Sequence, residues 1–114
     1  MKNPEIKEIQ ARLERGMIDY IKAAQPAYDR SDVVNCMQLI TVYLDEIEQA
    51  ESREQAMNLV KRTVLSLNDL NEKCEDELIE TDQREDIAEI IILAAHLKGF
   101  NASDEDITEE WRAW

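Results

Sequence analysis

An all-α fold, one helical bundle of four long helices plus a short C-terminal helix, is predicted by three features of this sequence. The first is a shortage of turn residues. The 114-residue chain holds only two glycines and two prolines, whereas a sandwich or barrel needs many tight turns. The second is composition: 44% of residues are hydrophobic but only 5% aromatic, a balance that suits helix-on-helix packing. The third is an apolar periodicity of three and four residues along most of the chain, the mark of amphipathic helices. The length fits a single domain over residues 1–114.

The first helix starts at Pro4, a residue suited to an initial helical turn, with Asn3 as its cap. Ile6, Ile9, Leu13, Met17, Tyr20 and Ala24 form its apolar stripe, and Gly16 within it invites a neighbouring helix to approach. Gln25 before Pro26 ends it. After a linker over 26–31, Ser31 is read as the cap of a second helix reaching Ala50. Val33, Met37, Ile40, Leu44 and Ile47 make a heptad-like seam there, widened by Val34 and Tyr43.

Ser52-Arg53-Glu54-Gln55 matches a capping box and opens the third helix. Ala56, Val60, Thr63, Leu67, Leu70 and Cys74 recur at alternating steps of four and three, and the pattern continues through Leu78 and Ile79. The short break near residue 51 predicts an antiparallel hairpin of the second and third helices. Thr81 is read as the cap of the fourth helix, whose segment Ile87–Leu97 is apolar nearly all round, as in a helix covered on several sides. Gly99 supplies its stop. Ser103, followed by Asp104, Glu105 and Asp106, opens the short fifth helix, with Ile107, Trp111 and Trp114 on one face.

Thirteen Lys and Arg against 26 Asp and Glu leave a net charge of −13. Such a charge repels nucleic acid and anionic membranes and speeds encounter with basic partners. Direct nucleic-acid binding and membrane association are therefore not expected. No apolar run approaches the roughly 18 residues of a membrane helix, and Lys2 is followed by polar residues rather than by a signal sequence. Cys36 and Cys74 lie inside helical patterns and read as reduced core residues, which places the protein in the cytoplasm.

The acids are not spread evenly. Residues 72–89 carry nine acids and two bases, whereas residues 1–30 carry five acids and six bases. Acids in a first helical turn, such as Asp82, Glu85 and Asp86, are stabilised by the helix dipole. Glu72, Asp76 and Glu80 have no such benefit: read as one helix they stack four apart, where like charges repel. Their pitch of about 6 Å, from the rise of 1.5 Å per residue, is close to the spacing of phosphates along a nucleic-acid strand. A carboxylate stripe of this kind can stand in for nucleic acid in the basic cleft of a nuclease. Trp111 and Trp114 add a residue type enriched at binding hot spots, or alternatively lock the last helix onto the bundle.

The segment also resembles, over about twenty residues, the all-α nucleoside triphosphate pyrophosphohydrolases. These hold Mg²⁺ with a Glu-x-x-Glu pair on one helix and a Glu-x-x-Asp pair on the next, hard oxygen ligands for a hard cation. Glu72 with Glu75, or Glu77 with Glu80, would supply the first pair, and Asp86 with Glu89 the second. The second pair has its acid types reversed, so no membership is assigned. His96 and the two cysteines lack a recognisable partner for acid–base or nucleophilic chemistry.

The expectation is a protein-binding inhibitor that needs no cofactor, in the form of an immunity protein or antitoxin occluding a basic, nuclease-type toxin. Its contact residues would be Glu72, Asp76, Glu80, Asp82, Glu85 and Asp86, with Trp111 and Trp114 as apolar anchors. A metal-dependent pyrophosphohydrolase and a self-associating regulatory module are the alternatives.

Overall fold

A computed structural model describes residues 1–114. Four helices account for all the regular structure: α1 (Pro4–Ala24), α2 (Arg30–Gln49), α3 (Arg53–Lys73) and α4 (Thr81–Leu97). No helix is long and apolar enough to cross a membrane.

Local chemistry sets the helix ends, with three departures from expectation. The Asn3 side chain accepts from the Ile6 amide at 3.0 Å, and Gln25 closes α1 in the left-handed region at φ 48°. At α2 the cap is Asp29 and not Ser31. The Asp29 carboxylate accepts from Ser31 and Asp32, and the Asp32 side chain accepts from the Asp29 amide in return. Both residues suit a cap, and only Asp29 has an acid three positions on to complete the box. At α4 the cap is Glu80 and not Thr81, because Gln83 reaches back to accept from the Glu80 amide.

The third departure is the end of α3. The helix stops at Lys73 instead of running through Ile79, and Glu75 and Asp76 follow at φ 56° and 60°. Two successive left-handed residues reverse the chain. Leu78 and Ile79 are buried all the same, because the returning loop folds them inward. Periodicity reported their burial correctly and their secondary structure wrongly.

The four helices alternate in direction, as their short connections require. α1 and α4 run antiparallel: Gly16 faces Gln83, and Arg12 faces Asp86. A Cβ at Gly16 would sit 3.5 Å from the Gln83 amide nitrogen, an ordinary contact, so this helix pair does not depend on the missing side chain. α4 begins at residue 81 and does not reach the last turns of α1, where Tyr28 of the following connection stacks on Tyr20 at 6.4 Å without burying it. That is why Tyr20 and Ala24, expected in the stripe, are exposed and burial ends at Met17.

α2 is the element with three helical neighbours, α1, α3 and α4, a place the sequence pattern assigned to α4. Val33, Cys36, Ile40, Tyr43, Leu44 and Ile47 are its buried face; Val34, expected there, is exposed. Tyr43 is fully buried, and its hydroxyl donates to the Ile91 carbonyl at 2.8 Å, joining α2 to α4. Burial pushes the Cys36 thiol up to about 12, so it stays protonated as an apolar filler.

α3 packs along α2 and makes no extended contact with α4. Residues 98–114 run over the α3 side of the bundle and contact both helices. Asn101 donates to the Ile92 carbonyl of α4, and Arg53 of α3 donates to the Phe100 carbonyl and to Glu105. Further on, Asn68 of α3 donates to the Trp111 carbonyl at 2.7 Å and accepts from the Ala113 amide at 3.1 Å. This segment is a chain of turns and not the expected fifth helix. The Asp106 carboxylate accepts from the amide and hydroxyl of Thr108 at 3.0 and 2.6 Å, a local ring that competes with a helical start. Ile107 and Thr108 are buried, and Trp111 and Trp114 are half-buried against the core.

Two predictions follow from this packing. Tyr43→Phe removes one buried hydrogen bond without changing shape, and should cost about 0.5–1.5 kcal/mol. Urea unfolding should show a lower midpoint with an unchanged slope. The second concerns acid. The Arg53 hydrogen bond holds the Glu105 carboxyl below its ordinary range. Burial pushes Asp106 up, but the bonds from Thr108 outweigh it, so Asp106 too titrates low. Groups with depressed folded values stabilise docking of the segment above about pH 4 and lose that effect as pH falls through the folded values. Trp emission should therefore shift below about pH 4, while far-ultraviolet helicity persists as the net negative charge is relieved. Asp106→Asn should show the shifted emission already at neutral pH.

Candidate functional site

The six acids expected to act together do not form a ladder. Glu72 lies in the last turn of α3, Asp76 in the left-handed turn, and Glu80 caps α4. A regular pitch of four residues exists only along one continuous helix, and this segment is interrupted at residue 74. The stripe imagined as a phosphate mimic is therefore absent. Only three of the six line a cleft, Glu85 in one and Glu72 with Asp76 in another.

The larger cleft, of about 440 Å³, runs along α4 between the start of α1 and the C-terminal segment. Ala88, Ile92 and Leu93 are its apolar residues, and Glu5, Glu85 and Glu89 contribute three carboxylates, with Ser103 completing the wall. The apolar run that marked α4 in sequence supplies the floor, because its full circumference cannot be covered by α1 and α2 alone. Asp86, one residue along, is committed elsewhere: Arg12 donates to its carboxylate at 2.6 and 3.0 Å, and the Asp86 side chain is only 14% exposed. The same guanidinium stands 3.6 Å from Glu89. Asp86 thus anchors α4 to α1, and Glu85 with Glu5 faces the cleft. Asp82 is exposed in the first turn of α4, where the dipole stabilises it.

The second cleft, of about 300 Å³, is lined by Asn68, Asn71, Glu72, Asp76, Ala113 and Trp114. Two of the expected acids and one of the expected tryptophans meet here, brought together across more than a third of the sequence by the docking of the C-terminal segment on α3. Arg112 lies over the Trp114 ring at 5.7 Å and pairs with Asp106 at 3.3 Å. Trp111 is held by packing against the core.

Asn71 organises the turn that carries Asp76, Glu77 and Glu80. Its buried side chain accepts from the Ile79 amide at 2.9 Å, and its carbonyl accepts from the Asp76 amide at 2.8 Å. Glu77 accepts from the Ala27 amide and so ties the turn to the α1–α2 connection. Sequence reading missed Asn71, since an Asn among helical polar positions gives no signal that its amide will bond eight residues downstream, and it gave Glu77 a metal-binding role in place of this tie.

No three Asp, Glu, His or Cys side chains are close enough to share a metal ion. Neither candidate Glu-x-x-Glu pair lies on a helix face, since Glu75 falls in the turn and Glu77 and Glu80 precede the first turn of α4. His96 is half-buried, with Nδ1 2.8 Å from the Asn101 carbonyl oxygen, which orients the ring toward the C-terminal segment.

Asn71→Ala should strand the buried Ile79 amide and cost about 1–3 kcal/mol. A lowered urea midpoint would register the loss, with faster amide exchange over residues 74–80 locating it in the turn.

No protein family, curated protein or solved structure compared with the chain matches it.

Proposed function

We propose that the protein binds and inhibits a basic protein partner, in the form of a cytoplasmic immunity protein or antitoxin that occludes the active-site cleft of a nuclease-type toxin. The observation that supports this reading most is the α4 cleft, where Glu5, Glu85 and Glu89 stand around an apolar floor of Ala88, Ile92 and Leu93. Lysine and arginine carry a long aliphatic stem beneath a cationic head. In this cleft the stem of such a residue lies on the apolar floor and its head meets the carboxylates. The net charge of −13 adds long-range steering toward a positive surface. The second cleft offers a smaller version of the same chemistry, with Glu72 and Asp76 beside the indole of Trp114. An aromatic face next to two carboxylates suits one further cationic side chain.

Capture from native lysate at low salt, with a rising salt elution, should recover a basic protein. Added in equal amount, the purified protein should suppress the nuclease activity of what it captured. Glu85→Lys with Glu89→Lys should weaken binding by about tenfold or more, chiefly through slower association. Glu72→Lys with Asp76→Lys should weaken it further if both clefts are used. Capture that survives reversal at both clefts, or a captured protein whose activity is unaffected, would overturn the proposal.

A further inference from the structure

We propose that a second copy of this chain docks on the outer face of α2, across a two-fold axis passing near Gln38. In a chain that is 34% charged, residues 33–44 contain no charged side chain. Their solvent-facing members are Val34, Asn35, Gln38, Thr41 and Val42, with Val34 60% and Val42 44% exposed. These two are among only five large hydrophobic residues exposed on the molecule. A basic partner is drawn to the acids around α4 and α3. Two copies each carrying −13, by contrast, approach with least repulsion where neither presents a charge.

The strip is also self-complementary, which a two-fold interface requires. Antiparallel pairing about Gln38 sets Val34 against Val42 of the copy and Asn35 against Thr41. The half-buried Met37 and Leu39 exchange in the same way. Gln38 meets its own counterpart on the axis, where an amide offers both a donor and an acceptor. Val34, Gln38 and Val42 form one row four residues apart, the ridge used in the commonest helix packing. Beside this row lies a hollow of about 310 Å³ lined by Asn35, Gln38, Leu39, Val42 and Leu70, able to receive a valine from the copy. From Val34 to Val42 the row is about 12 Å long at 1.5 Å per residue. With Val34 and Val42 as the only exposed large hydrophobic side chains on this face, the contact is a small one and the dimer is weak and concentration-dependent.

Salt sets this association apart from the binding of a basic partner. Screening between about 0.05 and 0.5 M salt shortens the reach of the repulsion between two acidic copies and strengthens the dimer, whereas it weakens attraction to a cation-rich surface. Sedimentation equilibrium of the purified full chain should show the average mass rising toward twice the monomer as salt and protein concentration increase. Val42→Asp should reduce the association constant by about tenfold or more. Gln38→Glu, an exposed helical change that leaves the fold intact by circular dichroism, should do the same by placing two carboxylates on the axis. A monomer at every salt concentration, association that weakens as salt rises, or a dimer indifferent to both substitutions would each overturn the proposal.

Discussion

The hydroxyl of Tyr43 reaches the Ile91 carbonyl from the centre of α2, in the middle of a buried stripe that runs from Val33 to Ile47. The stripe serves three neighbours at once, since α1, α3 and α4 all pack on α2. α3 takes one flank of the stripe and the α1–α4 pair the other. The opposite side of α2, with Val34, Gln38 and Val42, is left bare. α3 and α4 do not meet along their length, and the C-terminal turns complete the bundle there through Arg53, Asn68, Ile107 and the tryptophans.

Polar groups direct this arrangement more than they stabilise it. Arg12 with Asp86 sets the register of α1 against α4, though with the guanidinium half-exposed to water the pair contributes little net energy. Asn71 and Asn68 act at the other end of the molecule, one shaping the turn after α3 and the other pinning the C-terminal segment to it. Both use side-chain amides to satisfy backbone groups that no helix or sheet pairs, a recurring need wherever irregular chain is buried. The acidic surface is thus uneven: some carboxylates hold the fold, as Asp29, Asp86 and Asp106 do, while Glu5, Glu85, Glu72 and Asp76 face open clefts.

Charge and shape together make three kinds of surface on one small domain. The α4 cleft combines apolar floor with acid rim, the α3 cleft combines acids with an indole, and the outer face of α2 is neutral. The first two are the surfaces proposed to bind a basic protein, and the third is the one proposed to receive a second copy.

How much of this was legible in advance depends on the range of the interaction responsible. The four long helices, the bounds of α1, the α2–α3 hairpin and the burial of residues such as Ile6, Ile40, Leu67 and Ile90 follow from periodicity and caps, whose physics acts within a few residues. The net charge and its concentration after residue 72 are likewise properties of the chain alone. Other features were decided by contacts distant in sequence. Tyr20 is exposed because α4 starts too late to cover it, and Leu78 is buried by a loop that periodicity mistook for helix. The acids 72, 76 and 80 part company because Glu75 and Asp76 turn the chain, while Glu72 and Asp76 meet Trp114 because Asn68 holds the C-terminal segment against α3. Sequence alone determined the four long helices and how acidic each segment is, because spacing and composition are local. Only tertiary structure decided which acids share a cleft and which face of α2 stays bare, because that depends on where distant elements come to rest.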